Sequence, residues 1–189
     1  MRKKKTALIV CVVMLALLGL ACVLSVGEVQ KLFYPREYTE YVTAYAAEYG
    51  VPEPLVYAVI RAESGFDERA ESRVGAKGLM QMMPDTLDWL SRLIGEETPT
   101  DIFDPETNVK YGTYYLRHLY DRFGSWETAL AAYNAGHGRV AEWLNDSRYS
   151  DDGQMLTEIP ISETRNYVNK VMGNFDTYNK LYYNGEELL

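Results

Sequence analysis

The chain has 189 residues, 47% apolar and 24% charged, with 19 basic against 27 acidic side chains and a net charge of −8. That length suits one domain with a modest extension, large enough to fold on its own core without disulfides or a structural metal. The balance excludes a disordered or collagenous chain, a small disulfide-stapled module and a basic nucleic-acid binder.

The charge is unevenly placed. Residues 1–6 form a basic tip with Arg2, Lys3, Lys4 and Lys5, which leaves 15 basic against 27 acidic side chains, a net −12, beyond residue 26. From Ala7 to Val26 the chain carries no charge. As a helix this run is about 30 Å long, the thickness of a hydrocarbon core. The expectation is a transmembrane anchor at 7–26, with the basic tip cytoplasmic and everything after it extracytoplasmic, a single-pass protein of the cytoplasmic membrane. A cleaved signal peptide is the competing reading; its apolar region is usually shorter, and Leu24-Ser25-Val26 matches a small-residue cleavage site poorly. Lipidation at Cys22 is disfavoured, because Gly19-Leu20-Ala21-Cys22 lacks a leucine three residues before the cysteine. Cys11 and Cys22 both fall in this run, so the exported part has neither a disulfide framework nor a cysteine nucleophile. The two histidines, His118 and His137, have no ligand-type spacing, and the expected chemistry uses no metal and no cofactor.

Residues 27–36 read as a linker ending at Pro35. Helical spacing then governs an all-α domain over 37–182, followed by a tail at 183–189. Tyr38, Tyr41, Val42, Tyr45 and Tyr49 recur at threes and fours before Gly50, and helix-spaced tyrosines such as Tyr41 and Tyr45 are expected in the core. Pro52 and Pro54 open a helix with Leu55, Val56, Val59 and Ile60 inward, ending near Gly65. After Pro84, Leu87, Leu90, Leu93 and Ile94 form a face closed by Gly95. Asp104-Pro105 reads as a cap and first-turn proline for a helix reaching Phe123 and Gly124. Ser125 caps a segment from Trp126 to about Tyr133, a short helix spans Val140 to Leu144, and a polar loop covers 145–158. Ser162 begins the last helix, with Tyr167, Val168, Val171, Met172, Phe175 and Tyr178 on one side.

Three segments between helices carry chemistry-bearing residues. Glu63 ends an apolar helix, where burial and the negative helix terminus both favour its protonated form. A carboxyl that keeps its proton near neutral pH is what protonation of a glycosidic oxygen needs. On spacing alone Glu63 also reads as an exposed acid that finishes a helix beside Arg61. Ser72-Arg73-Val74-Gly75-Ala76-Lys77-Gly78-Leu79-Met80-Gln81-Met82-Met83-Pro84 sets one glutamine among methionines, either a ligand wall or a turn before a methionine-rich core. Ala131-Ala132-Tyr133-Asn134-Ala135-Gly136 places one Tyr and one Asn among small residues, either a polar corner of a site or an ordinary helix end.

Together these segments resemble the signature of the soluble-lytic-transglycosylase family of peptidoglycan-cleaving enzymes. The resemblance rests on Glu63-Ser64 with Phe66, Gly78 to Pro84, Ala132 to Gly136, and Ile159-Pro160 with Glu163-Thr164-Arg165 and Tyr167-Val168. It spans roughly residues 37–180 and implies a lysozyme-like, goose-type helical fold with a saccharide groove. It further implies that Glu63 is the acid/base, that Ser72 and Gln81 hydrogen-bond the sugars, and that Met83 lines the groove. By the same resemblance Tyr133 stands near the acid and Glu163 is a structural or groove-lining acid, with Asn134 beside Tyr133 as a further candidate for binding substrate. Arg73 stands where many relatives have proline and Met82 where isoleucine or leucine is common. The implied activity is cleavage between N-acetylmuramic acid and N-acetylglucosamine with closure of a 1,6-anhydro ring, Glu63 acting first as acid and then as base. A muramidase on the same fold and a non-catalytic glycan-binding wall module stand as alternatives. The implied partners are peptidoglycan strands, the cytoplasmic membrane through residues 7–26, and complexes of wall synthesis, sporulation or secretion.

Overall fold

The computed structural model describes residues 27–185 together with Met14. The basic tip, the expected membrane run at 7–26 (Met14 apart) and residues 186–189 lie outside the described residues. Among the described residues, no helix is long and apolar enough to cross a membrane. The chain divides into two units, Met1–Pro35 and Arg36–Leu189. In the first, residues 27–33, within the expected linker, are helical. The stretch from Glu28 to Tyr34 holds no helix breaker, and Lys31 pairs with Glu28 one turn away at 2.8 Å. The turn ends where Pro35 disfavours helical geometry in the residue before it.

The second unit is all-helical. Its elements are α1 (Thr39–Tyr49), α2 (Glu53–Glu63), α3 (Pro84–Ile94), α4 (Pro105–Phe123), α5 (Trp126–Ala135), α6 (His137–Leu144) and α7 (Ser162–Tyr182). Two isolated antiparallel bridges, Glu71 with Lys77 and Lys77 with Met82, lie in the segment between α2 and α3. Local chemistry sets the helix ends. Pro84 and Pro105 occupy first helical positions, where a missing N–H costs nothing. Asp104 caps α4 by accepting from the Thr107 N–H at 2.8 Å. Gly124, at φ +69°, closes α4 in a left-handed conformation that few other residues adopt without strain.

Helix α2 is the axis of the domain. Every residue from Pro54 to Ile60 is buried, so its neighbours must cover it on all sides. Helix α7 lies along it: the Tyr57 and Tyr178 rings stack at 5.4 Å, and the Asn174 amide donates to the Ala58 carbonyl at 3.4 Å. Helix α4 packs against α1 and α5, adding Leu116 and Leu119 to the core, while α5 buries the run from Ala129 to Ala132. At about 1.5–3 kcal/mol for each fully buried large aliphatic, this packing holds the last turn of α2 in place. Glu63 is the last residue of that turn.

Three expectations of the periodicity are corrected. The tyrosine stripe of α1 does not fill the core. Val42 and Ala46 do, while Tyr41, Tyr45 and Tyr49 sit half-buried at its edge, with the Tyr45 hydroxyl donating to Glu106 at 2.9 Å. A phenol lets the ring pack while its polar tip reaches a partner at the rim. Leu93 is 49% exposed, because it lies four residues after the exposed Trp89 and shares its side of α3. Helix α6 begins at His137 instead of Val140, immediately after Gly136, whose φ of +90° turns the chain out of α5.

Candidate active site

Glu63 leaves α2 where the chain turns sharply. The Ser64 hydroxyl donates to the Leu79 carbonyl at 2.8 Å and accepts from the Phe66 N–H at 3.1 Å. One side chain thus ties the end of α2 to the loop that precedes α3. Phe66 at φ +72° and Gln81 at φ +50° are both held in the left-handed region. Such conformations persist only where surrounding contacts impose them.

The loop from Ala70 to Met83 is folded on its own backbone. Ser72 and Ala76 close a turn, the Lys77 and Met82 main chains pair at 2.9 Å in both directions, and the Gly78 N–H donates to the Ala70 carbonyl at 2.9 Å. Buried Asn108 of α4 holds it from below. Its Oδ1 accepts from the Met80 N–H at 2.7 Å, and its Nδ2 donates to the Lys77 and Ile102 carbonyls at 2.9 and 2.7 Å. Gly78 packs so closely on this amide, at φ +76°, that a Cβ there would collide with it.

The loop, α2, α5 and the start of α7 enclose a cavity of about 260 Å³. Its walls include Glu63, Ser72, Gln81, Met83, Tyr133, Asn134 and Glu163, all seven residues expected at the site, together with Val74 and Ala76. A second cavity of about 280 Å³ shares Gln81, Met83, Tyr133 and Asn134 and continues past Thr86, Tyr115 and Gly136. The two form one open groove with Glu63 in the first compartment. Asp67 and Glu68 do not line it: Asp67 accepts from the Arg69 N–H, and Glu68 accepts from the Tyr38 hydroxyl.

Burial pushes the Glu63 carboxyl up to about 7 from its ordinary 4.5, against the opposing pull of the Tyr167 hydroxyl and the Lys170 ammonium. Near neutral pH this group is therefore divided between acid and carboxylate. Tyr133 sits beside it, its hydroxyl donating to the Met80 carbonyl at 2.8 Å and touching the Met82 sulfur at 3.4 Å. Burial, then the negative charge of Glu63, drives the Tyr133 pKa well above 10, so the phenol stays protonated. The Gln81 amide nitrogen donates to the Ala70 and Gly78 carbonyls, at 3.1 and 2.9 Å. Its carbonyl oxygen is thus the end left to meet a ligand. The Ser72 hydroxyl accepts from the Ala76 N–H at 2.9 Å and retains its own proton for donation.

Two residues take roles that the motif reading did not give them: Lys170, outside every motif, and Tyr167, inside the last one. Lys170 donates to the Ala62 carbonyl at 2.7 Å and covers the end of α2. Tyr167 is half-buried with its hydroxyl inside, closing no hydrogen bond of ordinary geometry while standing near enough to Glu63 to act on it. Glu163, Tyr167 and Lys170 are spaced by four and three and share one face of α7, the signal that would have grouped them. Removing the hydroxyl in Tyr167→Phe takes away a group that favours the Glu63 anion. The expected result is an activity profile whose alkaline limb moves to higher pH, read from wall-suspension clearing across pH 5–9. An unmoved limb would leave Tyr167 as packing only.

Among the described residues, no group of three or more His, Cys, Asp or Glu could hold a metal ion. The chemistry on offer in the groove is that of one enclosed carboxyl, one exposed carboxylate at Glu163, and hydroxyl and amide groups.

Residues 40–156 match the model of the transglycosylase SLT domain. The chain belongs to this family. This chain is 38% identical over 159 residues to the soluble lytic murein transglycosylase of Escherichia coli K12, covering 82% of this chain and 24% of that protein. It is 31% identical over 160 residues to the membrane-bound lytic murein transglycosylase C of Yersinia pestis, covering 72% of this chain and 45% of that one. Among solved structures, an inactive mutant of the lytic transglycosylase Slt from Pseudomonas aeruginosa superposes with a TM-score of 0.74 at 33% identity, over 84% of this chain and 26% of that one. A soluble lytic transglycosylase in complex with bulgecin A gives a TM-score of 0.70 at 33% identity, over 82% of this chain and 26% of that one. The chain thus spans about a quarter of the length of the first of these relatives.

Proposed function

We propose that this protein is a peptidoglycan lytic transglycosylase, anchored by residues 7–26 in the cytoplasmic membrane with its catalytic domain outside. The observation that carries the reading is an enclosed Glu63 carboxyl, pushed up to about 7, that opens onto a groove of two adjoining compartments of about 260 and 280 Å³. Family membership and the printed names of the relatives support the substrate class.

In this reading Glu63 donates its proton to the oxygen linking N-acetylmuramic acid to N-acetylglucosamine, and the C1–O bond breaks. The carbonyl oxygen of the neighbouring N-acetyl group stabilises the cationic C1. Glu63, now a carboxylate, takes the proton from the muramyl 6-hydroxyl as that oxygen bonds to C1. Glu63 regains its proton, and no water is consumed. A second carboxylate held across the bond, as in ordinary glycosidases, is then not required. Gln81, Ser72 and Asn134 hold the sugars, and Met83 and Val74 keep water from the cation, so intramolecular attack has its entropic advantage.

Product analysis tests the reading. Purified wall digested by the protein should release muropeptides one water lighter than those from a hydrolytic muramidase, detected by mass spectrometry. Ordinary reducing ends would assign water the role of the 6-hydroxyl, and binding without release would make the domain a glycan-binding module.

A further inference from the structure

We propose that the groove continues onto an aromatic platform, formed by Trp89 and His137, that binds a further sugar ring of the glycan strand. The platform rests on the reading of the groove as a saccharide site and extends it beyond Tyr115 and Gly136. Trp89 is 37% exposed, whereas Trp126 and Trp143 are each only 8% exposed. It stands one turn after Thr86, a wall of the groove, and its ring meets the edge of Tyr115, another wall, at 6.2 Å. His137 directly follows Gly136, a third wall, and its ring lies 6.2 Å from Trp89 at an interplanar angle of 27°. His118 packs against Trp89 at 5.1 Å and 85°, so the indole is braced from behind by a perpendicular ring.

An exposed tryptophan held rigid by two edge contacts is preorganised, and little side-chain entropy remains to be lost on binding. Nearly parallel rings at the mouth of a polar groove offer apolar faces beside the polar edge of an imidazole. A pyranose has the same mixed character, with C–H bonds on its faces and hydroxyls around its rim. No motif of the sequence marks the platform: Trp89, His118 and His137 come from three helices.

The test uses full-length Glu63→Gln protein, which cannot turn over its ligand, titrated with a β-1,4-linked hexamer of N-acetylglucosamine. Calorimetry gives the affinity, and the part of the tryptophan emission change that disappears in Trp89→Leu reports on Trp89, since Trp126 and Trp143 also emit. The hexamer should shift the emission. Adding Trp89→Leu should weaken binding about fivefold to tenfold, while Trp89→Phe stays within about twofold, since stacking needs the ring. Equal losses in the two variants would reduce Trp89 to packing, and an unchanged affinity in Trp89→Leu would place the sugars elsewhere. Either result overturns the platform and leaves the groove at Glu63 standing. Failure of the Glu63→Gln protein to bind the hexamer at all would overturn both.

Discussion

Glu63→Gln should lower cleavage of purified wall by about a thousandfold or more while the helical content of the protein stays that of the parent. The amide keeps the shape and most of the polarity of the side chain and removes the proton that the scissile oxygen must receive. The same substitution should stabilise the protein, and only on the alkaline side. Burial holds the Glu63 carboxyl at about 7 when folded, against an ordinary 4.5, so the folded state prefers the protonated form. That preference contributes fully below about 4.5 and is lost as pH rises through about 7. Glutamine has no such loss. At about 1.4 kcal/mol for each tenfold in the proton equilibrium, and allowing for the opening towards the groove, the variant should gain about 2–3 kcal/mol at pH 8 and nothing at pH 4. Urea midpoints at the two pH values measure it. A difference that does not change with pH would mean that Glu63 is an ordinary solvated carboxylate, and general-acid catalysis at this position would fall with it. In the parent, cleavage should decline above about pH 7 as the acid form is depleted.

Asn108→Ala should be the most destabilising single change near the site. Asn108 is fully buried and serves three backbone groups from the loop and the segment before α4. Its loss strands the Met80 N–H and the Ile102 carbonyl away from water, while the Lys77 carbonyl loses one of its two donors and keeps the Met82 N–H. Each unpaired group costs about 1–3 kcal/mol, so a total of about 3–5 kcal/mol is expected, partly relieved by water entering the space vacated. A domain of this size still folds at that cost, but the loop no longer holds Gln81 and Met83 in register with Glu63. Chemical denaturation should show the lowered midpoint, and kcat/KM on wall fragments should fall more than stability alone accounts for. Near-parental values for both would mean that the loop is held by its own turns. Gly78→Ala approaches the same result from the other side, since its new methyl group strikes the Asn108 amide at a backbone angle that alanine tolerates poorly.

Much of this protein is legible from short stretches of chain. The helix ends at Pro84, Pro105, Asp104 and Gly124 lie where local capping and backbone preference put them, because those effects act within one turn. The seven expected site residues belong to short motifs whose spacing is itself the signal, and all of them line one cavity. Other features depend on which faces meet. Asn108 carried no mark of importance in a polar stretch of helix; its role follows from a loop some thirty residues earlier packing onto it. Tyr167 and Lys170 acquire theirs only when α7 lies along α2. The tyrosines of α1 and Leu93 show the converse, since periodicity identifies an apolar side but not whether a neighbour covers it. The sequence by itself determined an all-helical domain with SLT motifs and marked Glu63 as its candidate acid, because local chemistry and motif spacing travel with the chain. Tertiary structure alone decided how far that acid is shielded from water, and so where it titrates, because desolvation is set by groups distant in sequence.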